Sequence, residues 1–118
     1  MVKLLLRLLS VWFVVAFASG CSDEQSIRTE ILRRTPLGST MEQVNAYCAA
    51  AQLSCHSSNT AGYVNRSTGV VVGSKSVWGI VENHKIGPLL ISTSAAYWGF
   101  DSNGKLLDVW VWTTMEGP

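Results

Sequence analysis

A chain of 118 residues suits one small domain and leaves no room for two. Nine basic side chains stand against eight acidic ones, giving a formal charge of +1. A nucleic-acid partner calls for a basic patch or stripe, and the chain has none.

The first twenty residues divide into three zones. Lys3 and Arg7 give a positive start, Leu8 to Phe17 is apolar, and Ala18-Ser19-Gly20 is a run of small side chains. That is the layout of a secretory signal. A membrane-spanning helix needs about 20 apolar residues, and the run after Arg7 has about half as many. Small residues before a cut let the backbone enter a peptidase groove, and here Cys21 follows at once. Ala18-Ser19-Gly20-Cys21 resembles the lipobox of bacterial lipoproteins, with Ala18 where that family usually has leucine. The resemblance implies that residues 1–20 are removed and that the Cys21 thiol carries lipid, which anchors the protein to a membrane of the bacterial envelope. In that family an aspartate directly after the cysteine favours the inner membrane. Ser22 stands there instead, which implies the outer membrane and a periplasm-facing domain. The alternative is a plainly secreted protein in which Cys21 is a structural thiol.

Loss of Lys3 and Arg7 with the leader leaves seven basic residues against eight acidic. Three cysteines in an exported chain leave one odd thiol. With Cys21 acylated, as the lipobox implies, Cys48 and Cys55 remain as an even pair, and an oxidising compartment favours their union. Closing so short a loop is worth about 2.5 kcal/mol on the chain-entropy model.

Ser22 to Ser26 reads as a polar tether, and residues 27–118 as a single domain. Ile27, Ile31 and Arg34 fall on one stripe, with Leu32 beside it, so the pattern predicts a helix over about Glu24 to Arg33 that Thr35-Pro36 ends. In "STMEQVNAYCAAAQ", Thr40 with Gln43, or Ser39 with Glu42, forms a capping box, and Met41, Val44, Cys48 and Ala51 make one apolar face. Seven residues of α-helix span about 10.5 Å, too far for a disulfide. A bonded pair therefore requires this second helix to stop near Ala51 or Gln52. Ser54 to Ser67 is polar and reads as an irregular excursion. Strands are expected at Val70 to Gly73, Val77 to Asn83, Leu90 to Phe100 and Lys105 to Thr114. The order predicts an α+β domain, with two N-terminal helices packed on one face of a three- to four-stranded antiparallel sheet.

The last two strands are joined by Asp101-Ser102-Asn103-Gly104, where Gly104 is free to adopt positive φ. A four-residue loop sets Phe100 opposite Lys105 and Trp98 opposite Leu107. Alternation then puts Phe100, Trp98, Ala96, Leu107, Val109 and Val111 on a core face. Tyr97, Trp110, Trp112, Leu106, Ile91, Asp108 and Thr93 share the other face, and a one-residue bulge would exchange part of these sets. Tyr97, Trp110 and Trp112, with Asp108 beside them, form the candidate binding face. The competing reading has these rings packed against the polar excursion or against one another.

No catalytic set emerges. His56 and His84 with the cysteines fit no standard zinc spacing, and Glu82-Asn83-His84 lacks a nucleophile. No metal and no cofactor are called for. The domain from Ile27 onward resembles small envelope lipoproteins built as two helices and an antiparallel sheet, among them the small lipoprotein of the outer-membrane β-barrel assembly machine and the repeats of the β-lactamase inhibitory protein. "PLGSTMEQV", a turn into a capped helix, and "WGFDSNGKLLDVWVW", a closing hairpin, carry the likeness. It implies a module that binds another envelope protein and catalyses nothing. The alternatives are a glycan-binding or peptidoglycan-binding module stacking sugars on Trp110, Trp112 and Tyr97, and an inhibitor or immunity protein against a cell-wall-directed enzyme.

Overall fold

A computed structural model describes residues 23–117; the proposed leader and Cys21 lie outside the described residues. Two helices precede six strands: α1 (Asp23–Arg34), α2 (Met41–Ala50), β1 (Cys55–Ser58), β2 (Tyr63–Asn65), β3 (Val70–Val72), β4 (Lys75–Ile86), β5 (Leu90–Phe100) and β6 (Leu106–Glu116). The chain is α+β, with a four-stranded antiparallel sheet in the order β1-β4-β5-β6 and a separate two-stranded hairpin, β2-β3. Among the described residues no helix is long and apolar enough to cross a membrane.

Local chemistry sets the helix ends. Helix α1 begins at Asp23, so residues 23–26, expected as tether, are its first turn. Tertiary contact accounts for the difference, because the Glu24 carboxylate accepts from the Thr113 N–H at 3.0 Å. Thr40 caps α2: its hydroxyl accepts from the Gln43 N–H at 3.1 Å, and the Gln43 side chain accepts from the Thr40 N–H at 2.9 Å. At the other end Leu53 N–H reaches Cys48 O (2.8 Å) and Gln52 N–H reaches Ala49 O (3.1 Å), while Gln52 adopts φ 59°. This pair of bonds with a left-handed residue between helix and exit is a Schellman motif. It reverses the chain within a few residues and brings Cys55 to Cys48, with Cα atoms 6.2 Å apart in the disulfide.

The core unites Ile31 of α1 and Val44 and Cys48 of α2 with Val77, Ala96, Trp98, Phe100, Leu106, Val109 and Val111 of the sheet. Trp98 is fully buried, and its indole N–H donates to Thr35 Oγ1 at 3.1 Å; the Thr35 hydroxyl in turn donates to Ile31 O at 2.7 Å. Thr35, expected only as a helix stop before Pro36, is thus the polar link between α1 and the centre of β5.

Two corrections concern the strands. The stretch from Ser54 to Ser67 is not irregular, since it contains β1 and β2. Cys55, held by the bridge, starts β1, which pairs with Ser76–Gly79 of β4. The second correction lies at the β5–β6 turn. Asp101 pairs with Lys105 (N–H to O, 2.9 Å), its carboxylate accepts from the Asn103 and Lys105 N–H groups at 2.9 Å, and Gly104 takes φ 78°. The loop is therefore a three-residue one, with Phe100 opposite Leu106. Next, Leu107 and Asp108 together oppose Gly99, a bulge that shifts the register once more. The two shifts cancel in parity. Val109 and Val111 keep the core face and Trp110 and Trp112 the other, but Leu106 turns inward (3% exposed) and Leu107 outward (49%), the reverse of the expectation. Pairing with the α1–α2 connection holds this arrangement, through Gly38 N–H to Leu106 O (2.9 Å) and Leu106 N–H to Ser39 O (2.8 Å).

Candidate functional site: an aromatic sheet face

On the side of the sheet opposite Trp98, one rung crosses all four strands: His56, Trp78, Tyr97 and Trp110 are consecutive cross-strand partners. Their rings are within mutual contact, with centroids 4.7 Å apart for His56–Trp78, 6.2 Å for Trp78–Tyr97 and 5.1 Å for Tyr97–Trp110. Cross-strand aromatic pairs of this kind contribute roughly 0.2–1 kcal/mol each beyond alanine pairs. The next rung sets Ile80 opposite Ala95 and Ala95 opposite Trp112, and Trp112 lies 5.2 Å from Trp110.

The β2-β3 hairpin covers part of this face. Tyr63 and Val72 are partners in it and turn toward the sheet, whereas Val64 and Val71 turn outward and are exposed. The Tyr63 ring is 6.1 Å from Trp110 and nearly parallel to it, and 5.9 Å from Tyr97. Room for it comes from Gly99. A Cβ there would meet Val72 Cγ1 at 2.8 Å and Tyr63 Cε1 at 2.9 Å. Tyr63 is 5% exposed, and its hydroxyl has no hydrogen-bond partner among the described residues. Burial, then the negative charge of Asp108, push its phenol above the usual tyrosine range, and Arg28 offsets part of the rise.

Gly99→Ala tests the docking. The added methyl has no free volume, so the hairpin has to lift from the sheet, at a cost of about 1–3 kcal/mol for an overpacked contact. Greater acrylamide quenching of tryptophan emission, with the far-ultraviolet dichroism retained, is the expected result. Unchanged quenching and stability would show that the hairpin does not seal the rings.

The sequence-predicted residues divide. Tyr97, Trp110 and Trp112 lie side by side as expected, all half-buried. Asp108 turns to the sheet edge, where its carboxylate takes the Arg28 guanidinium at 2.8 Å and the Val109 N–H at 2.8 Å. Cys48 and Cys55 are bridged, and Cys21 lies outside the described residues. The sequence pattern does not assign Trp78 (40% exposed), Ile80 (44%), His56 or Tyr63 to the aromatic face. Of these, Trp78 and Ile80 share one face of the β4 run, but Val77 and Gly79 on the other are not polar, so alternation does not say which face is outward.

Elsewhere, His84 Nε2 lies 3.3 Å from Glu82 on the same strand, and His56 belongs to the aromatic rung. A polar cleft of about 450 Å³ is lined by Glu42, Asn45, Ser57, Asn59 and Lys75 among others. Among the described residues no three His, Cys, Asp or Glu side chains group as metal ligands. Comparison with protein-family models, with curated proteins and with solved structures finds no match to this chain.

Proposed function

We propose that this chain is an exported lipoprotein, acylated on Cys21 after loss of residues 1–20, whose domain binds another envelope protein without catalysing a reaction. In this reading α1 and α2 lie on one face of the four-stranded sheet, supported by the core that Ile31, Val44 and Cys48 share with Val77, Trp98 and Val109. The opposite face is left for the partner. The observation that carries the reading is the exposure of Trp78 (40%), between His56 and Tyr97 on the aromatic rung, and of Ile80 (44%) on the rung beside it. A flat apolar surface anchored by tryptophan is the kind on which protein-binding energy concentrates.

The glycan reading has less support. Sugar stacking needs free rings flanked by free polar groups, yet Asp108 is held by Arg28, and Thr93 lies 3.5 Å from Asn83. A photo-crosslinking amino acid at Trp78 or Ile80, in intact cells, separates the two. Capture of one envelope protein at these positions, and not at the exposed Ala46 of α2, is expected. Capture of glycan alone, or of nothing, would refute the protein-binding reading.

A further inference from the structure

The far end of the β4–β5 hairpin presents apolar side chains that nothing covers among the described residues. Ile86, Leu89, Leu90, Ile91 and Met115 are 45%, 64%, 43%, 41% and 66% exposed. They occupy successive positions at one end of the sheet: Ile86 pairs with Leu90, Ile91 with Glu116, and Ser92 with Met115. Alternation sends Ile86, Leu90 and Met115 to one face of the sheet and Ile91 to the other, and Leu89 sits in the turn. A partner docking on a sheet covers one face. A projection with an apolar turn and one apolar face, and with Ile91 between Lys85 and Glu116 on the other, is suited to shallow immersion.

The start of α1 points to the same end. Glu24 bonds Thr113 and Arg28 bonds Val109, so α1 runs antiparallel to β6 with its N-terminus toward the hairpin tip. Cys21 precedes Glu24 by three residues, a reach of at most about 11 Å. Thr113 to Glu116 is three residues of strand, about 10 Å, and Glu116 is level with Ile91. An acyl group on Cys21 and the side chains of the tip can therefore enter one lipid surface.

We propose that the β4–β5 tip inserts into the interface of the same bilayer that holds the lipid on Cys21; the inference rests on the lipoprotein reading above. Gly87-Pro88 carries no charge, and Pro88 presents no N–H to the lipid. Lys85 and Glu116 flank Ile91 on its rung and stop entry there, with the Lys85 ammonium reaching the headgroups. Insertion is shallow, and its effect is orientation. Two contacts hold the strands upright on the membrane, so the aromatic face looks sideways, toward neighbours in the same membrane.

The test uses the full processed chain in vesicles of phosphatidylethanolamine and phosphatidylglycerol, with mass spectrometry of Cys21 on the same sample. Nitroxide amino acids are placed at Leu89 and, as a control, at Thr68 in the β2–β3 turn. With Cys21 acylated, the label at Leu89 is expected to favour oxygen over a water-soluble nickel complex several-fold more than the label at Thr68. Equal accessibility at the two sites in an acylated sample overturns the insertion and leaves the anchor intact. An unacylated Cys21 overturns both together.

Discussion

Trp98→Ala is expected to remove about 3–5 kcal/mol of stability, measured by urea unfolding. For a domain whose whole stability is on the order of 5–15 kcal/mol, that is from about a fifth of it to all of it. The side chain is fully buried at the centre of β5, among Val77 and Val109 of the flanking strands and Ile31 and Val44 of the helices. Two contributions are lost together, the packing of the ring and the hydrogen bond from its N–H to Thr35 Oγ1. They separate experimentally. Thr35→Val keeps the volume near Trp98 but strands a buried N–H, at a cost of about 1–3 kcal/mol. Combining Thr35→Val with Trp98→Phe removes donor and acceptor at once, and the pair is expected to lose less than the two single losses added. A loss below about 1 kcal/mol for Trp98→Ala, within the range of ordinary surface changes, would mean that this ring does not organise the core.

Breaking the disulfide is the second large effect. Reduction, or the double change Cys48→Ala and Cys55→Ala, is expected to lower stability by about 2.5 kcal/mol, chiefly by freeing the unfolded chain. A structural consequence comes with it. The β1 strand is four residues long, lies at the sheet edge and begins at Cys55. Three of its four residues are polar and two are exposed, so the bridge, the ladder to Ser76–Gly79 and the His56–Trp78 stack hold it in place. Hydrogen exchange should therefore accelerate in Cys55–Ser58 well before the β5–β6 ladder responds. An unchanged urea midpoint in the presence of reductant would remove the bridge from the list of stabilising features.

The helices and long strands were legible because each had a local cause. Thr40 and Gln43 cap α2, the cysteine spacing requires α2 to stop, and Gly104 closes the last turn. The faces of β6 came out as expected only because a shorter loop and a bulge compensate one another; between them, Leu106 and Leu107 exchange places. Nothing in the local pattern announces such a bulge. β1 was missed for a different reason. Cys55-His56-Ser57-Ser58 has no apolar alternation, and what makes it a strand is a covalent tie and a neighbour's free edge. Trp78 and Ile80 escaped because Val77-Trp78-Gly79-Ile80 is apolar on both faces, which leaves a two-residue period silent about direction. Alternation puts Asp108 among the surface groups of the aromatic face, while its partner Arg28 lies 80 residues away in the chain, beyond any local pattern. Tyr63 closes over the rings from a strand of three residues, too short for any periodicity to single it out.

The two rims of the sheet are unequal. Along β6, Arg28 takes the outward Val109 carbonyl, Glu24 the outward Thr113 amide and the α1–α2 connection both backbone groups of Leu106, so α1 and that connection stand along this rim in the way of an added strand. Along β4, by contrast, β1 stops at Gly79, and among the described residues no strand pairs the outer rim from Ile80 to Ile86. Strand addition between copies can therefore use one rim of each molecule and not both. Such growth ends at a pair and does not propagate into a fibre.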